Sequence, residues 1–184
     1  MGQQDLHIAC GHLLQGHVIA YPTEAVWGLG CDPDDRKAVV RLLAIKQRPI
    51  EKGLILVAGS LDQLGELLNP LKKSELDQLH ATWPGPVTWL IPDTKRLIPS
   101  WIKGCHESVA IRVSAHPVVQ ALCLQFGKLL VSTSANEAGA PPVKSLADLK
   151  QRFADKIDYI IEGELGTSPA PTEIRDLQTG QVFR

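Results

Sequence analysis

No apolar run in this sequence approaches the roughly 18 residues that a membrane-spanning helix needs, so no segment is expected to cross a bilayer. Aromatic residues make up 5% of the chain, too few for a stacking platform along nucleic-acid bases. Neither sign of charge is in excess: 19 Lys and Arg against 20 Asp and Glu leave a formal net charge of -1. The molecule as a whole is therefore no electrostatic glue for a polyanion or an anionic membrane, and any bound anion must meet a local group of cations. The 4 cysteines, Cys10, Cys31, Cys105 and Cys123, form no C-x-x-C pair, which argues for reduced thiols and against a zinc or redox motif. Met1 to Cys10 contains Asp5 and no cationic flank to an apolar core, so no secretory leader is expected. A cytoplasmic location fits these absences.

What is present suits one ordinary domain over residues 1–184. With 44% hydrophobic residues, a chain of this length can remove about 70% of its unfolded surface from water. Helical stripes are read at 3–15, from a cap at Asp32-Pro33 to about Lys46, from Ser60 to Leu68, at 74–82, at 116–126 and from a capping box at Ser145 to Phe153. Apolar or β-rich runs at 17–21, 53–58, 87–91, 108–113, 128–132, 157–161, 172–177 and 181–184 read as strands. The alternation predicts an α/β fold with a mixed sheet, and Thr179-Gly180 predicts a hairpin turn.

Three polar loops interrupt this pattern and are read as following strand ends, the usual ligand positions of open α/β sheets. The first is Tyr21-Pro22-Thr23-Glu24-Ala25-Val26-Trp27-Gly28-Leu29-Gly30, whose hydroxyl and carboxylate suit a small polar ligand. Thr23 bonded to its own turn is an equal reading, and G-L-G is not a dinucleotide fingerprint. The second, Lys46-Gln47-Arg48-Pro49-Ile50-Glu51-Lys52-Gly53, gathers cations on a proline-stiffened loop. Such a loop can cradle a triphosphate, or it can face water. The third, Ser132-Thr133-Ser134-Ala135-Asn136, offers uncharged donors and acceptors to a phosphate, ribose or amino acid, or forms a capped turn. Arg112 lies inside the buried run Val109-Ala110-Ile111-Arg112-Val113 and needs an anionic partner, either a protein carboxylate or a substrate carboxylate.

These segments, with Trp83-Pro84-Gly85-Pro86-Val87-Thr88 and Glu173-Ile174-Arg175-Asp176, resemble in order and spacing the YrdC-like threonylcarbamoyl-AMP synthases. The resemblance implies a twisted mixed sheet flanked by helices around a concave, positively lined cavity. It implies ATP with Mg2+, L-threonine and bicarbonate as substrates and threonylcarbamoyl-AMP and pyrophosphate as products. Downstream proteins would then transfer the threonylcarbamoyl group to N6 of an adenosine in tRNAs reading codons that start with A. Carried over by position, Lys46, Arg48, Lys52, Ser134, Asn136 and Arg184 would serve ATP, the first three as the catalytic cations. Arg112 would meet the threonine carboxylate, with Thr23, Ser132 and Thr172 completing the amino-acid pocket. No protein side chain is implied as a metal ligand. Ala25 and Val57 stand where longer family members carry a threonine and a histidine, and the chain stops near Arg184, without the extra C-terminal domain of those members.

Two other readings compete. A module that grips double-stranded RNA or tRNA without chemistry would use the cationic loop for phosphates, but one local cation group predicts weak, salt-sensitive binding. A carbamoyltransferase is the other, since a related domain occurs in long, multidomain hydrogenase-maturation proteins.

Overall fold

A period of two divides residues 108–113 into two sets, Val109, Ile111 and Val113 on one face and Ser108, Ala110 and Arg112 on the other. A computed structural model, which describes residues 2–168 and 172–183, extends that division across an entire sheet. Its strands are β1 (Ile19–Pro22), β2 (Trp27–Gly30), β3 (Ile55–Ala58), β4 (Val87–Pro92), β5 (Ser108–Val113), β6 (Leu130–Ser134), β7 (Tyr159–Ile160) and β8 (Glu173–Asp176). They form one 8-stranded sheet in the order β7-β1-β2-β6-β3-β5-β4-β8. The pairs β1–β7, β3–β5 and β4–β8 are parallel and the others antiparallel, so the sheet is mixed as expected. The helices are α1 (Gln3–Leu14), α2 (Arg36–Lys46), α3 (Lys73–Thr82), α4 (Ser100–Lys103), α5 (Pro117–Phe126) and α6 (Leu146–Phe153).

The two faces are covered differently. Leu29, Leu56, Val109, Ile111, Val113, Val131 and Trp89 pack beneath residues of α2, α3, α4 and α6 in one large core. On the opposite face, α1 and α5 bury Ile19, Tyr21, Val57 and Leu130. They leave the rest of that face open. Register aligns Ser132, Ile55, Ala110, Leu90 and Asp176 in one row across five strands of this uncovered part. Ile55 and Leu90 alternate there with Ser132, Ala110 and Asp176, giving a floor of mixed polarity that neither helix seals.

Several local expectations are corrected. Helix α2 begins three residues later than read: Asp35, not Asp32, caps it by accepting from the backbone N–H groups of Lys37 and Ala38. Asp32 instead accepts from the Asp34 N–H in the preceding turn. Residues 61–67 form 3-10 turns rather than an α-helix, because Gly65, at φ 48° and ψ -122°, breaks the path between the buried Leu64 and Leu67. Of the expected strand 181–184, the described residues 181–183 form an isolated bridge between Val182 and Arg175, and the turn at Gly180 (φ 72°) does return the chain. The segment 27–30, read as a ligand loop, is strand β2. Its two glycines make room for the fully buried Tyr21 ring, whose hydroxyl donates to Val131 O at 3.2 Å. A Cβ on Gly30 would lie 2.4 Å from Val131 O and 2.8 Å from Tyr21. Gly30→Ala is therefore expected to cost about 1–3 kcal/mol, read as a lowered urea midpoint at unchanged slope.

Candidate active site

The uncovered part of the sheet is the floor of a cavity of about 810 Å3, within the usual range for ligand pockets. Thr23, Arg48, Lys52, Arg112, Ser132, Ser134, Asn136 and Thr172 all line it. The three polar loops thus meet, but the strand face supplies the base of the site as much as the strand ends do. Lys46 is not part of the lining, and Arg184 lies outside the described residues.

At one end, α2 finishes at Lys46 and Gln47 turns the chain in a left-handed conformation at φ 50°. The half-buried Arg48 then folds over its own loop, Nε and Nη2 donating to Gly53 O at 3.2 and 2.9 Å. This holds a guanidinium edge at the cavity wall beside the exposed Lys52. Lys46 departs from the expected role. Its Nζ donates to Ser134 O, to Asn136 O at 2.8 Å and to Asn136 Oδ1 at 3.3 Å. Only three N–H bonds are available to an ammonium, and all three are directed at the 134–136 turn. Lys46 is thus a buried brace, 4% exposed, beneath the cluster it was expected to join as a phosphate ligand. Burial, and then the charge of Arg48, push its pKa down to about 8, with Glu137 opposing. Above the brace, Ser134 Oγ donates to Asn136 Oδ1 at 2.6 Å and Asn136 Nδ2 donates to Ala140 O at 2.8 Å. The amide's orientation is fixed by these bonds, and both side chains border the cavity.

At the other end, Arg112 has found a protein carboxylate. Its Nη1 donates to Glu24 Oε2 at 2.8 Å, and Ser114 Oγ donates to Glu24 Oε1 at 2.6 Å. Burial opposes ionisation of Glu24, but Arg112 and then Ser114 outweigh it and hold the carboxyl below its ordinary range. The ion pair does not exhaust the guanidinium: Arg112 Nε is buried without a hydrogen-bond partner among the described residues. Arg112 lines the cavity, and a lining guanidinium with a donor still unmatched is a candidate to meet a ligand acceptor. Thr23 takes the local option, its hydroxyl donating to Val26 O at 2.7 Å. Thr172 Oγ1 lies 3.2 Å from Thr88 Oγ1. Ala25 lines the cavity, whereas Val57 is fully buried in the core under α1 and α5 and takes no part in the lining.

Sequence reasoning missed the rim formed by Lys103, Cys105, His106 and Glu107. Its signal was the polar run Lys103-Gly104-Cys105-His106-Glu107 just before β5. Gly104, at φ +65°, packs so closely that a Cβ would lie 2.3 Å from Glu51 O, which fastens this rim to the cationic loop. Lys103 is neutralised by the buried Asp93 at 2.8 Å.

Comparison with known proteins agrees with this geometry. The Sua5/YciO/YrdC family model, described as "Telomere recombination", matches residues 12–184. A Pseudomonas aeruginosa protein named threonylcarbamoyl-AMP synthase is 56% identical over 170 residues, covering 92% of this chain and 91% of its own. The crystal structure of P. abyssi Sua5 complexed with L-threonine superposes with a TM-score of 0.88 at 30% identity, covering 96% of this chain. The alignment spans 52% of that longer protein. E. coli YciO superposes at 0.86 with 27% identity, over 100% of this chain and 89% of its own. The chain belongs to the Sua5/YciO/YrdC family.

Proposed function

We propose that this protein is an L-threonylcarbamoyladenylate synthase, a nucleotidyltransferase that joins L-threonine, bicarbonate and ATP. The observation that carries the reading is one cavity lined by Arg48 and Lys52 at one end and by Arg112 at the other. ATP phosphates would lie against Arg48, Lys52, Ser134 and Asn136. The threonine carboxylate would take Arg112, near Thr23, Ser132 and Thr172. Among the described residues no group of His, Cys, Asp or Glu is built to hold a metal ion. Mg2+ would thus enter on the phosphate oxygens of its substrate, as that ion commonly does.

In this scheme the threonine amine adds to bicarbonate carbon and water departs, leaving a carbamate. A carbamate oxygen then attacks the α-phosphorus, and the bond to the bridging oxygen breaks to release pyrophosphate. No protein nucleophile is needed. The protein's work is to hold the carbamate in line and to meet charge growing on the leaving pyrophosphate. The mixed anhydride would pass in the cytoplasm to a transferase acting on tRNA adenosine. A bare RNA-binding role is less well supported. Lys95, Lys128, Lys150 and Lys156 are each paired with a carboxylate, which weakens what these four could offer a phosphate backbone.

Mass spectrometry of a reaction containing protein, ATP, Mg2+, bicarbonate and threonine is expected to show the adenylate, lost when any component is omitted. Its absence from the complete mixture overturns the proposal. A pH effect follows from Lys46. Nearby phosphates favour its charged form, so above about pH 8 ATP binding must take up a proton, and affinity is expected to fall by up to tenfold per pH unit. Below that pH this group contributes no slope. Calorimetry in buffers of different ionisation enthalpy reads the proton directly; none taken up at about pH 9 would uncouple Lys46 from the nucleotide.

A further inference from the structure

One buried imidazole joins two walls of the Arg112 end of the cavity. His116 is the N-cap of α5, and its Nδ1 accepts from the Val118 N–H at 3.3 Å. That bond requires Nδ1 to be unprotonated, so Nε2 carries the hydrogen and donates to Glu164 O at 3.2 Å. Burial pushes the His116 pKa down, which favours this neutral form; the bond to Glu164 and the Glu24 charge oppose, and Arg112 adds to the lowering. Meanwhile the His116 N–H donates to Ser114 Oγ at 3.1 Å, and Ser114 in turn donates to Glu24.

The segment 162–168, which His116 touches through Glu164, lies on the same corner. Gly166 N donates to Thr23 O at 2.9 Å and Ser168 N to Glu24 O at 3.0 Å. Contact is so close that a Cβ on Gly166 would lie 2.8 Å from Glu24 Cα. His116 therefore ties three parts of this corner, its imidazole joining α5 to Glu164 and its backbone N–H reaching Glu24 through Ser114.

We infer that His116 is a positioning residue for the amino-acid pocket, latching the segment 162–168 over the Thr23–Glu24 corner and so fixing Thr23 and the carboxylate that holds Arg112. The inference rests on the proposed function for its kinetic readout but not for its structural one. An ordinary capping histidine would serve α5 alone, and two substitutions separate the roles. In His116→Asn the amide oxygen takes the place of Nδ1 and keeps the cap, while nothing reaches Glu164 O. In His116→Gln the amide nitrogen reaches the Nε2 position and keeps the latch, while the cap is lost.

For His116→Asn the KM for threonine is expected to rise about tenfold, with kcat, the KM for ATP and the Tm close to wild type. For His116→Gln the threonine KM stays within about threefold while the Tm falls. Hydrogen exchange at the Gly166 and Ser168 amides is expected to quicken in His116→Asn and not in His116→Gln. Unchanged exchange and threonine KM in His116→Asn, or equal rises in both KM values, overturns the inference. If wild-type protein makes no adenylate, the proposed function falls. The exchange comparison then decides the latch alone: quickening confined to His116→Asn supports it, and no quickening refutes it.

Discussion

Arg48→Ala is expected to lower the rate of pyrophosphate release by about a hundredfold to a thousandfold, the usual consequence of removing one well-placed electrostatic donor. The guanidinium belongs to a half-buried side chain whose Nε and Nη2 are committed to Gly53 O, so it is held in place before substrate arrives. A group already oriented costs no reorganisation when charge develops on the leaving pyrophosphate. Loosening of the loop could mimic this loss, and Arg48→Lys separates the two causes. Lysine restores a positive charge without the planar fork that bonds Gly53. If charge at the phosphates is what matters, Arg48→Lys recovers a substantial part of the rate. Steady-state kinetics at saturating threonine and ATP, with the Tm of each variant, provides the check. A rate for Arg48→Ala within threefold or so of wild type removes Arg48 from the chemistry.

The layout of helices and strands was largely legible in the sequence because it is written in local periodicity. Residues 108–113 alternate cleanly and became β5 with the expected bounds. Helix α5 lies between a capping His116 and Gly127 at φ +75°, close to where an apolar stripe and a glycine placed it. What failed was long-range. Gly28 and Gly30 look like a ligand loop, and only the pairing of β1 with β2 reveals that Tyr21 lies across them. Two aspartates near the start of α2 are both competent caps, and the turn geometry decides between them. The site follows the same rule. Its loops could be named from polar residues at the ends of apolar runs, but the floor depends on register among β3, β4, β5, β6 and β8. Lys46 illustrates the limit most sharply. It shares a sequence cluster with Arg48 and Lys52, yet a helical turn directs it inward to carbonyls of residues 134 and 136. No spacing rule discloses which way that side chain points.

Arg112 is where the sequence left two partners open, and the structure joins it to a protein carboxylate, Glu24, with Nε unmatched among the described residues. Arg112→Ala is therefore expected to have two separable effects. Threonine affinity should drop by at least roughly 30-fold, since truncating one partner of a buried charge pair costs about 2–5 kcal/mol. Stability should also fall, by about 3–5 kcal/mol, because Glu24 would remain desolvated with no cation beside it. Removing the carboxylate as well tests this division. Arg112→Ala with Glu24→Gln is expected to regain much of the stability and none of the threonine affinity. The pH dependence provides an independent check on the pair. With its folded pKa held below the ordinary value, Glu24 contributes stability that is present above the unfolded pKa and lost as pH falls through the folded one. That acid-side loss should shrink in Arg112→Ala, because the cation that lowers the carboxyl is gone. Equal stability of the single and double variants, with an unaltered acid limb, would show that Glu24 and Arg112 do not depend on each other.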